Sequence, residues 1–238
     1  MGQYQADFET FLQHTNEKEV LRQKLTDIIE VNKVTSLLDL GAGNGDLAIP
    51  LASAVQRYLA VEPCRAFVER LRANRLEVIE GAYPLEVEGL YDMVLICHVM
   101  SRKRESWEPF VSAAWQKVTV GGRVVIVTYR NGEDSWTHLM RDLDLDQQKE
   151  NQTTYDEMLA SLESLGRVSV QQITTSVTTS NIDEMVQALS FVAGNGIPEQ
   201  TELFLTKKGL LERILREQYA SGDSFSFPFQ HFFITCLK

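Results

Sequence analysis

The sixteen-residue run LLDLGAGNGDLAIPLA, from Leu37 to Ala52, constrains this chain more than any other stretch. Ser36-Leu37-Leu38-Asp39-Leu40 reads as a buried strand. Three glycines follow at alternate positions, Gly41, Gly43 and Gly45, and then a helical pattern. A strand that delivers a glycine turn onto a helix start presents exposed backbone N–H groups to a ligand. The glycines let the chain turn sharply and approach that ligand with no Cβ in the way. Such a loop suits a nucleoside-bearing ligand.

The spacing separates two ligand classes. Nicotinamide and flavin sites use G-x-G-x-x-G, the third glycine packing helix on strand. Here the pattern is G-x-G-x-G, and Asp46 stands where that third glycine belongs. An acid at the helix start repels a pyrophosphate but tolerates a zwitterion. With Asp39 two residues before the first glycine, D-x-G-x-G-x-G resembles motif I of the class I S-adenosylmethionine-dependent methyltransferases. The resemblance is firm from Leu37 to about Thr128 and looser to the C-terminus.

Beyond that run the chain alternates short apolar segments with helical patterns. Strands are expected at Arg57–Glu62, Leu76–Glu80, Tyr91–Ile96 and Arg123–Thr128, with helices at Cys64–Asn74 and Trp107–Thr119. Gly121-Gly122 reads as a turn. This alternation implies an α/β fold with a doubly wound, mostly parallel sheet covered by helices on both faces. Two helices are expected before the first strand, from the spacing of Tyr4, Phe8, Phe11 and Leu12 and of Leu21, Leu25, Ile28 and Ile29, with Asn16 as N-cap of the second. Later come a helix from Thr154 to Leu165, ended by Gly166 at a C′ position, and a sixth strand over Val168–Thr179. Two helical segments, around Ile182–Leu189 and Leu210–Leu215, are separated by a turn at residues 194–198. The last strand is expected over Phe229–Leu237.

The resemblance implies a seven-stranded, Rossmann-like sheet of order 3-2-1-4-5-7-6 with strand 7 antiparallel. It also implies a helical insertion between strands 6 and 7, acting as a lid over the acceptor. One domain is expected: a helical cap over residues 1–30, a core over 31–180, the insertion over 181–224 and the last strand over 225–238.

Composition excludes several classes. Acids outnumber bases 33 to 23, a net charge of −10, and that field repels a phosphate backbone. Nucleic acid is therefore not the expected partner, and the short basic cluster Arg102-Lys103-Arg104 reads as a solvated loop. No apolar run is long enough to span a membrane, and the N-terminus lacks a signal-peptide pattern. The scattered cysteines Cys64, Cys97 and Cys236 read as reduced thiols, so a cytoplasmic protein is expected. No metal is expected. Asp142, Asp144 and Asp146 resemble the start of a calcium loop, but Gln147 and Thr153 stand where its glycine and glutamate belong.

Glu62, at the end of the second strand, can accept both hydroxyls of a ribose. The resemblance implies that S-adenosyl-L-methionine is the cofactor. It places Asp39, Gly41, Ala42, Gly43, Asn44, Gly45, Glu62, Pro63, Gly81, Ala82, Tyr83, Cys97 and His98 around it, with Tyr4 closing from the N-terminal helix. Ala82 departs from the acidic residue the family often uses on the adenine amine, which leaves its backbone and a stacked Tyr83 for that task. His98, after the fourth strand, is the first candidate for a general base. His231 is a weaker one, because nothing in the sequence brings it near the methyl. The loop from Tyr129 to Trp136, with Glu133 between, is acidic and aromatic and suits a cationic amine. Tyr129, Glu133, Trp136 and His231 are thus the acceptor candidates.

These features point to methyl transfer onto a small molecule, an amine nitrogen first and a hydroxyl second. Three alternatives stay open: a cofactor-binding sensor or subunit without activity, a nicotinamide-dependent oxidoreductase, and a protein methyltransferase. Oligomeric state is not legible.

Overall fold

The computed structural model describes residues 11–99, 104–129, 132, 134–145, 149–194 and 197–238. Tyr4, Phe8, Arg102, Lys103 and Glu133, singled out above, lie outside the described residues.

β1 (Ser36–Leu40) sends successive side chains to opposite faces, and both faces are buried. Leu38 and Leu40 enter one core and Leu37 the other. Its neighbours do the same. In β2 (Arg57–Glu62), β4 (Tyr91–Cys97) and β5 (Val118–Thr128), the pairs Leu59/Val61, Val94/Ile96 and Val124/Ile126 fill the first core. Tyr58/Ala60, Met93/Leu95 and Val125/Val127 fill the second. Continuous apolar strands of this kind belong to a parallel sheet with helices on both sides.

The sheet has the order β3-β2-β1-β4-β5-β8-β6, where β3 is Val78–Glu80, β6 is Arg167–Thr179 and β8 is Ser224–Leu237. β3, β2, β1, β4 and β5 are parallel, and β8 runs antiparallel to β5. The seven-strand order expected from the resemblance is present. A two-residue strand, β7 (Ala220–Ser221), additionally pairs with β8. On one face α1 (Glu17–Val31), α2 (Ala48–Ser53) and α3 (Arg65–Ala73) supply Leu21, Leu25, Ile29, Leu51 and Leu71. On the other, α4 (Arg104–Gln116) and α6 (Lys149–Leu165) supply Trp107, Val111, Met158 and Leu162. No helix among the described residues is long and apolar enough to cross a membrane.

The chain groups into two compact units. The sheet core lies in Lys18–Arg130, Lys149–Ile173 and His231–Lys238; Met1–Glu17, Asn131–Gln148 and Thr174–Gln230 form the other. The second unit has its own apolar cluster, drawn from α5 (Ser135–Asp142), α7 (Ile182–Gly194), α8 (Pro198–Leu205) and α9 (Lys208–Gln218). It includes Leu139, Met185, Leu189, Phe204, Leu211 and Leu215. Here the sequence reading needs correcting. Three helices, not two, fill the stretch between β6 and β7, because Pro198 starts α8 at a position where its missing N–H costs nothing. Ser135 and Trp136, expected on a loop, open the helix α5. Asn16, just before α1, turns its side-chain Oδ1 to accept the Ser176 N–H.

Three glycines also act differently from expectation. Gly121 and Gly122 lie within β5, at a shift of register against β4 between Tyr91 and Met93, and Gly121 has φ +80°. Gly166 does not adopt a left-handed conformation. A Cβ there would collide with the Leu237 carbonyl oxygen and stand 2.6 Å from Trp115 Cη2. Close packing, not backbone conformation, selects glycine. Gly166→Ala is therefore expected to destabilise the protein by about 1–3 kcal/mol through overpacking. Urea denaturation measures this, and an unchanged midpoint contradicts the close contact.

Candidate active site

Because β1 to β5 are parallel, the residues that follow them gather along one edge of the sheet, where ligands bind in doubly wound folds. Gly41 follows β1, Glu62 ends β2, Glu80 ends β3, His98 follows β4 and Tyr129 follows β5.

The glycine loop is held from within. Gly41, Gly43 and Gly45 have φ of +84°, +60° and +94°. The Gly41 N–H donates to the Val61 carbonyl at 2.7 Å. A Cβ on Gly41 would collide with Val99, so the loop after β4 lies against the glycine turn. A Cβ on Gly45 would stand 3.1 Å from both Ile49 and Leu71, the close helix packing that the third glycine supplies in other nucleotide folds. A Cβ on Gly43 would meet nothing within 4 Å. That position borders open space, as a cofactor cradle requires. Ala42 and Asn44 flank it, half-buried.

Glu62 is buried, and its carboxylate braces the loop. Oε2 accepts the Gly43 N–H at 2.9 Å, and Oε1 accepts the Cys64 N–H at 2.8 Å. Each oxygen keeps a lone pair, so both can still accept a ribose hydroxyl. Pro63, next in sequence, is exposed.

Asp39 is also buried, and its Oδ2 accepts the Tyr58 hydroxyl at 2.7 Å. Burial lifts its pKa from 3.8 to about 6; the Tyr58 hydrogen bond opposes this and the nearby Glu62 charge adds to it. Tyr58 is pushed well above the usual phenol range by burial and by the Asp39 charge. For Asp39 the folded state holds its proton more tightly than the unfolded chain. Stability therefore falls as pH rises from about 4 to about 6 and is level above that. Asp39→Asn removes this dependence. Relative to the parent, the variant is expected to gain up to about 3 kcal/mol between about pH 4 and about pH 7. Melting curves at the two pH values check it, and a gap that does not change with pH contradicts the assignment.

Asp46 requires a correction. Its carboxylate does not face a ligand as a free charge. It accepts the Asn44 amide at 2.7 Å and pairs with Arg70 of α3 at 3.1 Å. Repulsion of a pyrophosphate by Asp46 is thus largely offset. Two other features disfavour a dinucleotide. The helix after the loop has six residues, contains Pro50 and has no side-chain cap, a weak anion site. The antiparallel β8, lying between β5 and β6, also departs from the mostly parallel 3-2-1-4-5-6 order of the dinucleotide sheet.

At the other end of the row, strand register assembles a cluster that the sequence could not. Cys97 pairs with Val127 across β4 and β5, and Thr128 pairs with Phe232 across β5 and β8. The next residues out are His98, Tyr129 and His231. His98 Nε2 lies 3.2 Å from His231 Nδ1. The Tyr129 ring stacks on His98 at 4.5 Å and 22°. His231 is fully buried. His98 has φ +55°, a left-handed conformation uncommon for a residue with a Cβ and often found at functional sites. Its N–H donates to the Val127 carbonyl at 3.0 Å. The residue after it is Val99, which touches the glycine loop. Cys97 is half-buried and is not in a disulfide.

The remaining candidates are placed as follows. Gly81 donates its N–H to the Glu62 carbonyl, Ala82 is exposed, and Tyr83 meets Phe110 of α4 edge-on at 5.1 Å. Burial lifts the Tyr83 hydroxyl to about 12. Trp136 is not on a loop: it lies on α5, stacked with Phe204 and Phe229. Asp134 caps that helix, accepting the Thr137 N–H at 2.8 Å. Tyr129 and Trp136 fall in different units, Tyr129 with the sheet core. The sequence reading missed Tyr58, Arg70 and Val99, each of which acts through register or packing across elements.

The sequence matches no family model and no curated protein sequence. Solved structures match in fold. The YcgJ protein from Bacillus subtilis is 15% identical with a TM-score of 0.59, over 89% of this chain and 96% of that one. The N-methyltransferase NodS from Bradyrhizobium japonicum WM9 is 10% identical with a TM-score of 0.51, over 94% and 97%. Magnesium protoporphyrin IX methyltransferase from Synechocystis PCC 6803, solved with bound S-adenosylhomocysteine, is 16% identical with a TM-score of 0.53, over 68% and 78%.

Proposed function

The chain has the class I S-adenosylmethionine-dependent methyltransferase fold, and on that premise we propose that it transfers a methyl group from S-adenosylmethionine to a small-molecule nucleophile, an amine nitrogen first and a hydroxyl second. One observation carries the reading. The open glycine cradle braced by Glu62 and the His98–His231 pair lie on the same edge of the sheet, joined by the Gly41–Val99 contact.

The N–H groups of the glycine loop and the carboxylate of Glu62 are the groups that would hold the cofactor. When bound, it supplies a methyl group made electrophilic by a sulfonium. The protein then has to align the acceptor, exclude water and remove a proton. His98 takes that proton, and His231 holds the ring from 3.2 Å. A hydrogen bond between two imidazoles needs one donor and one acceptor, so each ring fixes the tautomer of the other. Tyr129 holds the His98 ring by stacking. The preference for an amine rests on the net charge of −10, which draws cations. Two of the fold neighbours, an N-methyltransferase and a magnesium protoporphyrin IX methyltransferase, support methyl transfer as the reaction.

The test is an acceptor screen in which S-adenosylhomocysteine formation is followed. Production that depends on an added amine or alcohol supports the reading. A protein that binds the cofactor yet forms no product with any acceptor, including protein substrates, is a sensor instead.

A further inference from the structure

A second cleft, of about 450 Å³, lies on the α1 face of the sheet, away from the glycine loop. Arg123 of β5 and Lys24 of α1 line it with Ile28, Phe233, Ser169 and Gln171. All of these residues belong to the sheet-core unit. The lining has two cations and no acid, in a chain with ten more acids than bases. Among the described residues neither cation forms a salt bridge. Arg123 Nε is buried and has no hydrogen-bond partner among the described residues. A buried guanidinium nitrogen left without an acceptor is costly, and an anion is its natural partner.

We propose that this cleft binds a small organic anion, a carboxylate or phosphate attached to an apolar body. The Arg123 fork grips the anion and Lys24 adds a second charge. Ile28 and Phe233 take the apolar part, and Ser169 and Gln171 supply polar groups at the rim. The volume falls in the range of small-molecule sites. The site is separate from the candidate active site: the five residues Val124 to Thr128 of β5 lie between Arg123 and Tyr129, a span of roughly 20 Å of strand. The proposal does not rest on the methyltransferase reading.

Arg123 starts from an unfavourable position that an anion relieves. Burial pulls its pKa below the ordinary value. The exposed rim of β6 leaves the cleft open to entry.

The experiment is calorimetric titration of the full chain with benzoate, phenyl phosphate, inorganic phosphate and neutral benzyl alcohol. At least one of the two aromatic anions is expected to bind with a millimolar or lower Kd, and benzyl alcohol not to bind. The stronger of the two identifies the head group. Arg123→Gln is expected to weaken the binding by about 10-fold or more, and Lys24→Gln by about 3-fold, as the loss of charge-assisted hydrogen bonds implies. Lys24 lies on a helix surface, so its variant keeps the test sound if Arg123→Gln does not fold. Saturating S-adenosylhomocysteine is expected to leave benzoate binding unchanged. No binding of either aromatic anion overturns the proposal. So does binding that both variants retain at full strength, or equal binding of benzyl alcohol.

Discussion

Gly43→Val is expected to reduce S-adenosylhomocysteine affinity by about 100-fold or more, about 3 kcal/mol, while the protein stays folded. The reasoning is geometric. Gly43 has φ +60°, donates its N–H to Glu62 and borders space that no protein atom fills within 4 Å of a Cβ. A valine there projects two methyl groups into that space. It also strains a left-handed backbone, at about 1–2 kcal/mol for a residue with a Cβ. Either effect disturbs the loop–Glu62 contact. Circular dichroism and a melting curve establish that the variant is folded, and calorimetry reads the affinity. A folded Gly43→Val protein that binds as the parent does removes the glycine loop from the cofactor site.

The second large effect is on turnover. His98→Ala is expected to lower kcat by about 100-fold or more, the usual contribution of a positioned base, with cofactor affinity changed by less than about 3-fold. An imidazole base gives the rate an acidic limb, and that limb disappears in the variant. His231→Asn keeps a polar group beside His98 but removes the partner imidazole, and a smaller loss is expected. The two losses should not add, because the rings act as one unit. Activity of His98→Ala that matches the parent at every pH shows that His98 is not the base.

The fold was legible where both faces of a strand are apolar. Ser36–Leu40 and Arg57–Glu62 have the boundaries that their sequences suggest, and β4 differs from expectation by one residue. Such runs have only one way to bury themselves, between two helical layers. Legibility ended where the outcome depends on a partner strand. His231 joins His98 only because Thr128 opposes Phe232, and no local pattern encodes that antiparallel register. Gly166 has the same origin: its constraint comes from Leu237 and Trp115, remote in sequence. The start of α5 was not legible for a different reason. Asp134 is a helix cap, and an acid before a short helix looks like an acid in a loop. The glycine turn and Glu62 come together as their spacing suggests, because both are local signals at fixed distances from strand ends.

The most direct measurement is a parallel calorimetric titration of the purified protein with S-adenosylmethionine, S-adenosylhomocysteine and NAD. The account predicts binding of the two sulfur-containing ligands and none of NAD, since the short uncapped helix after Gly45 is a poor pyrophosphate site. Binding of NAD without either of the others contradicts it.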